Sequence, residues 1–443
     1  MDMLNGPLLG KILMFALPLA LASVLQQLFN TADAAFAGRY IDADALAAIG
    51  ATAPVIGLFI NLFVGLSIGA NVDLAIHIGH GDPDKVHESV HTAIPLALVS
   101  GVIMLALGVV FSRPNMAAIS TPPEVLDDAV LYLSVYFLGM PGAMVFNFGS
   151  AILRSKGDTR RPLVALAIAC AANFAGDYVA VSAGWGIAGV AGATAIANYI
   201  CAVITIAFLL RERDAFRLEL RQMRIHRAPL VSIVRIGLPA GLQSAVFSLS
   251  NVVIQSAINS FGPDAIAGSA AALNAEYYSY FLVSAFANAA VTFTGQNYAA
   301  RKYDRCRRVY QLCMALGVGA SALSIAVFVG MGEAFLGIFT TEAAAMSWGI
   351  TRLYTVELLE FITCSYEVTA GALRGMGWST LPAVITMLGS CVLRIVWVWL
   401  CFPNGGTYEA LMQLYPVSWV VTGVAMLAAY VWLRRTAFRE ARA

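Results

Sequence analysis

Two stretches of this chain carry the same polar punctuation on the same apolar ground: FALPLALASVLQQLFN at residues 15–30 and IGLPAGLQSAVFSLSN at 236–251. Aligned, they pair Pro18 with Pro239 and Asn30 with Asn251, an offset of 221 residues. ILRSKGDTRRP (152–162) and ALRGMGWSTLP (372–382) register almost identically, setting Leu153, Arg154, Gly157 and Pro162 against Leu373, Arg374, Gly377 and Pro382. IHIGHGDPDK (76–85) faces QNYAARKYDR (296–305) in the same frame. Three registrations at nearly one offset make the chain an internal duplication. Self-similarity of this kind decides the architecture before any single residue is considered.

What is duplicated is apolar. Of 443 residues 59% are hydrophobic and 12% charged, with a mean hydropathy of +0.76. Soluble domains carry about 25% charged residues, so this composition cannot coat a water-facing surface. That excludes a soluble enzyme, a secreted scaffold and a disordered chain. A membrane helix needs about 20 mostly apolar residues. Twelve such runs are expected, near 11–38, 45–78, 88–112, 126–153, 162–182, 187–210, 229–260, 265–297, 307–338, 344–373, 381–402 and 409–433. None shows the ten-residue alternation of a barrel strand. Several exceed the bilayer thickness, so tilted or kinked helices are expected.

The basic residues orient these spans. With both termini inside, 23 of the 27 Lys and Arg side chains fall on the cytoplasmic face; Arg39, Arg113 and Arg352 fall outside and Arg394 within a span. This is the positive-inside pattern, and it supports an even number of helices. Each half then holds six spans and enters the membrane in the same direction. The expected fold is an all-α integral membrane protein of twelve helices in two six-helix lobes, related by an axis along the membrane normal. The lobes divide as 1–210 and 229–443, joined by a basic cytoplasmic linker at 211–228 containing RERDAFRLELRQMRIHR. That run lies between spans six and seven, so it reads as a solvated or lipid-facing connector, not a nucleic-acid surface.

Other features are structural. The cysteines at 170, 201, 306, 313, 364, 391 and 401 form no CxxC pair and read as small core residues. The first fifteen residues lack a basic region followed by a cleavage site, so the first span is expected to stay in place. His77, His80 and His87 bracket a loop and read as solvated.

The duplicated spans, the first-span pattern LPLALASVLQQLFNTADAAFAGR (17–39), and the pair ALRGMG and ILRSKGDTRRP resemble the multidrug and toxic compound extrusion (MATE) transporters along essentially the whole chain. The resemblance implies a secondary antiporter that exports amphiphilic, mainly cationic organic compounds against H⁺ or Na⁺. The acids resemble the DinF-type branch, which carries an aspartate in the first span, here Asp33, and an asparagine and aspartate four apart in the fifth, here Asn173 and Asp177. It also implies a sixth-span hydroxyl. Thr194 is the nearest candidate, while Ala197 stands at the strictly aligned position. Span seven lacks the carboxylates of the NorM-type branch.

Seven acids fall inside the expected spans: Asp33, Asp73, Asp177, Glu276, Glu357, Glu360 and Glu367. A charge at mid-bilayer costs about 2.5–3.5 kcal/mol on insertion scales, so such residues face partners or cavities. Asn30 and Asp33 are i,i+3 on span one; Asn173 and Asp177 are i,i+4 on span five. Two acids and two amides can converge in one lobe and hold a proton or a hard cation such as Na⁺. Glu276, beside Tyr277 in LNAEYYSYF, either faces a cavity and attracts cationic aromatics or pairs with Arg394. Asn251 is a further cavity candidate. Glu357 and Glu360 read as one solvated helix face, and Asp73 and Glu367 as partners of nearby Arg or Lys.

Two other functions compete. A lipid-linked glycan flippase needs a cationic cavity, and Arg394 alone does not supply one. A prenyltransferase-like enzyme needs clustered aspartates for Mg²⁺, which are missing. No Walker A loop supplies ATP binding. No cofactor beyond the coupling cation, no nucleic acid and a monomer in the inner membrane are expected.

Overall fold

The computed structural model describes residues 1–118, 121–401 and 406–440. The side chains of Cys401 and Arg439, and the whole of Arg442, lie outside the described residues. Every regular element among those described is helical, as lipid demands of a chain that must satisfy its own backbone.

The first repeat forms α1 (Leu8–Tyr40), α2 (Ala43–His80), α3 (Pro83–Ala118), α4 (Pro123–Leu138), α5 (Met140–Ser155), α6 (Arg160–Ser182) and α7 (Gly186–Leu210). The second forms α8 (Arg227–Asn259), α9 (Pro263–Ala299), α10 (Tyr303–Gly330), α11 (Gly332–Leu336), α12 (Ala343–Thr355), α13 (Cys364–Gly375), α14 (Thr380–Thr386), α15 (Leu393–Cys401), α16 (Tyr408–Met412) and α17 (Leu414–Glu440). These fall on the twelve expected spans. The excess of helices comes from spans that are broken.

Three of the breaks have a distinct local setting. Span four bends by 46° between α4 and α5, where Pro141 removes an amide donor from the first turn of α5. Span ten is α12, a 3₁₀ stretch Glu357–Thr363, and α13. The tighter winding covers two buried acids, Glu357 and Glu360. Span eleven passes through a π segment, Met387–Val392, between α14 and α15. A Cβ on Gly389 would lie 2.5 Å from Thr422 Oγ1, so this segment sits against the last helix.

Nine described helices are long and apolar enough to cross a bilayer, and the bent α4–α5 pair makes a tenth. The two other spans are α9 and the one built from α12 and α13, helices of 13 and 12 residues joined by the 3₁₀ stretch. α9 is deeply packed: Glu276, Ser279, Thr292, Thr294, Gln296 and Asn297 are buried. A helix surrounded by protein need not be apolar.

The chain forms two compact units: Leu21–Gly241 with Met1, and Asp2–Ala20 with Leu242–Ala443. The duplication is visible in where they divide. α1 changes unit just past Pro18, and α8 just past Pro239. The first unit is built on an apolar core running through Met104, Leu133, Phe137, Phe148 and Leu153. In the second, Phe15 of α1 packs edge-on against Phe293 of α9, 5.6 Å between ring centres. A separate core there holds Tyr366, Met412 and Trp419. Among described residues, Cys201, Cys306, Cys313, Cys364 and Cys391 are buried free thiols and Cys170 is half-buried, as small core residues should be.

Candidate cation-coupling site

In the first unit, α1 buries Phe29, Asp33, Phe36 and Ala37, an i, i+4, i+7, i+8 stripe. Asp33 is therefore the polar member of an apolar face. α6 buries Leu166, Ala169, Asn173, Asp177 and Ala180 at the same kind of spacing. α7 buries Val190, Ala191 and Thr194. Gly176 lets α6 and α7 approach: a Cβ there would stand 2.8 Å from the Ala193 Cβ. That close approach brings the three polar side chains together.

Asn173 Nδ2 donates to Asp33 Oδ1 at 3.1 Å, and Thr194 Oγ1 donates to Asp33 Oδ2 at 2.5 Å. Asn173 Nδ2 also lies 3.3 Å from Thr194 Oγ1. Tyr132 on α4 donates its hydroxyl to Asp33 Oδ2 at 3.4 Å and packs on Tyr136, ring centres 5.9 Å apart. Asp33 is 3% exposed, and Asn173 and Asp177 are wholly buried.

Three oxygens in this group receive no donor: Asn173 Oδ1 and both carboxyl oxygens of Asp177. Unpaired buried acceptors beside a buried acid need a positive partner.

The structure gathers Asp33, Asn173, Asp177 and Thr194. It does not gather Asn30, which sits on an exposed face of α1, because an i,i+3 neighbour is rotated off the narrow buried stripe. Thr194 supplies the hydroxyl, and Ala197 packs instead in an apolar cluster with Phe29 and Ala165. Tyr132 was not evident from the sequence. Its only signal is a polar tip on the otherwise apolar buried face of α4.

The second unit rearranges the other candidates. Glu276 is held by Arg352, not Arg394: Arg352 donates from Nε to Oε1 at 2.5 Å and from an Nη atom to Oε2 at 2.9 Å. Arg352, expected outside the membrane, is 2% exposed and lies more than two turns into α12. That depth was the missed signal. Arg394 donates Nε to Ser418 Oγ at 2.9 Å and stacks over Tyr415 and Phe247, 4.6 and 5.2 Å from the ring centres. Tyr415 lies beneath Arg352 as well, at 5.5 Å.

Tyr277 is 40% exposed, and Asn251 is exposed on α8. Glu357 and Glu360 are not a solvated face; both are buried, and Glu357 Oε1 accepts from Ser279 at 2.5 Å. Asp73 accepts from Ser89 at 2.6 Å and lies 3.7 Å from His77, where Arg or Lys was expected. Glu367 accepts from Tyr280 at 3.4 Å. Among described residues no group of three or more His, Cys, Asp or Glu is placed to hold a metal.

The chain matches the MatE family twice, over residues 18–179 and 239–400, so the matched segments begin on the paired prolines. It is 22% identical over 413 residues to the probable multidrug resistance protein YoeA of Bacillus subtilis, covering 88% of this chain and 89% of that one. It is 26% identical over 396 residues to the probable multidrug resistance protein NorM of Thermotoga maritima, covering 87% and 84%. Its fold superposes on an outward-facing multidrug resistance MATE family transporter of the MOP superfamily with a TM-score of 0.89, at 21% identity, over 99% of this chain and 98% of that one. The chain belongs to the MatE family, a family of membrane transporters and not of enzymes.

Proposed function

We propose that this protein is a cation-coupled antiporter that exports amphiphilic organic compounds in exchange for H⁺ or Na⁺, with Asp33 and Asp177 as the coupling pair. The observation that carries this reading is the set of three unpaired buried oxygens, on Asn173 and Asp177, beside an Asp33 already held by three donors. With both carboxyls ionised, two like charges share a dry site and repel. A proton between them, or a Na⁺ held by Asp177, the Asn173 carbonyl and Asp33, removes that cost. Hard cations take oxygen ligands of this kind.

Antiport requires that substrate and ion favour different states of the transporter. A cation that neutralises the pair favours the state in which the four helices carrying Asp33, Tyr132, Asn173 and Thr194 pack most closely. A bulky cationic compound competes for the same negative charge. The relatives' multidrug resistance names support drug-like substrates. The carboxylate pair supports a preference for cations, and the Asp33–Asn173–Asp177 pattern supports the DinF-type branch. Glu276 no longer contributes to that preference, because Arg352 neutralises it. We further assign a place in the inner membrane with both termini in the cytoplasm, on the distribution of Lys and Arg.

The test is transport in proteoliposomes with a proton gradient and a sodium gradient imposed separately. Export of a cationic dye driven by one gradient, with stoichiometric counterflow of that ion, supports the proposal. Equal export with neither gradient contradicts it.

A further inference from the structure

We propose that the linker-side end of the first unit holds an anionic phospholipid, its acyl chain in a groove between α3, α5 and α7 and its phosphate on the linker arginines. The groove has a volume of about 410 Å³ and an almost wholly apolar wall. Leu98, Val203 and Ile206 line its helical sides, and Leu218, Leu220 and Met223 of the linker close one end. Val203 is 67% and Leu220 57% exposed, so the groove opens sideways, where a spanning helix meets lipid. An apolar cleft of this kind, open to hydrocarbon, fits a chain and not a polar solute.

Charge at the rim decides which lipid. Each apolar residue at the linker end has an arginine beside it in the chain: Leu210 with Arg211, Leu218 with Arg217, Leu220 with Arg221, and Met223 with Arg224. All four arginines are exposed, and none forms an ion pair among the described residues. The acids of the same segment are engaged elsewhere. Lys156 and Arg161 hold Glu212, Lys156 holds Asp214, and Gln222 donates to Glu219 at 2.5 Å. The cationic excess therefore faces outward.

The segment is also built, not loose. Leu218 N–H donates to the Leu209 carbonyl at 3.1 Å and Glu219 N–H to His91 Nε2 at 2.9 Å. Arg224 N–H donates to the His91 carbonyl at 3.3 Å, and His226 N–H to Thr92 Oγ1 at 3.1 Å. These bonds pin the linker across the ends of α3 and α7. Its apolar side chains turn into the groove while its arginines stay at headgroup level, an arrangement that attracts anionic lipid.

The test uses the purified full chain in detergent, offered phosphatidylglycerol and phosphatidylcholine with the same acyl chains, with retained lipid read by native mass spectrometry. The wild type should retain phosphatidylglycerol preferentially. Arg217→Gln, Arg221→Gln and Arg224→Gln should lower the preference by about fivefold for each arginine removed. Val203→Trp, which fills the groove, should also bring the ratio toward one. Unchanged melting shows that each variant is folded, and the linker variants carry the test should Val203→Trp fail to fold. No headgroup preference in the wild type, or one untouched by the arginine changes, overturns the proposal. So does displacement of phosphatidylglycerol by water-soluble glycerophosphoglycerol, which would place the site on the headgroup alone.

Discussion

Thr194 and Asp33, 161 positions apart in the chain, meet through a 2.5 Å hydrogen bond from the threonine hydroxyl to the aspartate carboxyl. It is the shortest link in the candidate coupling site, and it ties α7 to α1. Losing one donor to a buried charged group costs about 1–3 kcal/mol. Thr194→Val keeps the shape and removes the donor, leaving Oδ2 with only the 3.4 Å bond from Tyr132. We expect a lower melting temperature and slower ion-driven export, with Thr194→Ser restoring both. Valine behaving as threonine would show the bond to be idle.

The Glu276–Arg352 pair is expected to act in stability. Removing one partner of a buried ion pair leaves a bare charge and costs about 3–5 kcal/mol. Arg352→Met should therefore destabilise strongly, and Glu276→Gln combined with Arg352→Met should recover part of the loss. In folded Glu276→Gln, cationic and neutral substrates should be affected alike. A selective loss of cationic substrates would return Glu276 to the substrate site.

Helix approach supplies a third expectation. A Cβ on Gly65 would lie 2.2 Å from the Gly241 nitrogen, so α2 and the start of α8 meet backbone to backbone in the first unit. Such small-residue contacts are what membrane helices use to pack closely. Gly65→Val should lower the yield of monodisperse protein sharply, whereas Gly57→Val, at a position with open space, should not. Equal yields would contradict the contact.

The clamp of Lys156 on Glu212 and Asp214, at 2.7 and 2.5 Å, lies beyond the end of α5 and gives a pH prediction. Burial lowers the Lys156 pKa, but the hydrogen bonds to Asp214 and Glu212 outweigh it and hold it above the usual lysine value. Burial raises the Asp214 pKa, but the Lys156 hydrogen bond outweighs it and holds it below the usual carboxylate value. The lysine contribution is complete below the unfolded lysine pKa and is lost as pH rises through the raised folded value. The aspartate contribution is present above the unfolded aspartate pKa and is lost as pH falls through the lowered folded value. Thermal melts of wild type and Lys156→Met should thus differ by a constant amount between about pH 5 and pH 9, with the gap closing toward both extremes. A gap that closes near neutrality would assign it to another group.

The fold was legible because its decisive signals are long and repeated. Pro18 and Pro239 announced the duplication, and the two MatE matches begin on them. The breaks were not legible: nothing in the hydropathy of 344–373 distinguishes a continuous helix from one rewound through Glu357–Thr363. Within the site, Asp33, Asn173 and Asp177 could be read because acids and amides are rare in lipid. Tyr132 could not, because tyrosine is ordinary in a spanning helix. Arg352 was misplaced because a basic residue near a span end looks solvated until a buried partner such as Glu276 is known.

The central claim is that Asp33 and Asp177 take up the coupling cation. The most direct measurement is counterflow of H⁺ or Na⁺ during export in proteoliposomes by wild type, Asp33→Asn and Asp177→Asn, each shown to be folded by its melting curve. Asp33→Asn should abolish gradient-driven export and ion counterflow together, and Asp177→Asn should reduce both strongly. Normal coupled transport by Asp33→Asn would place the ion site elsewhere and contradict this account.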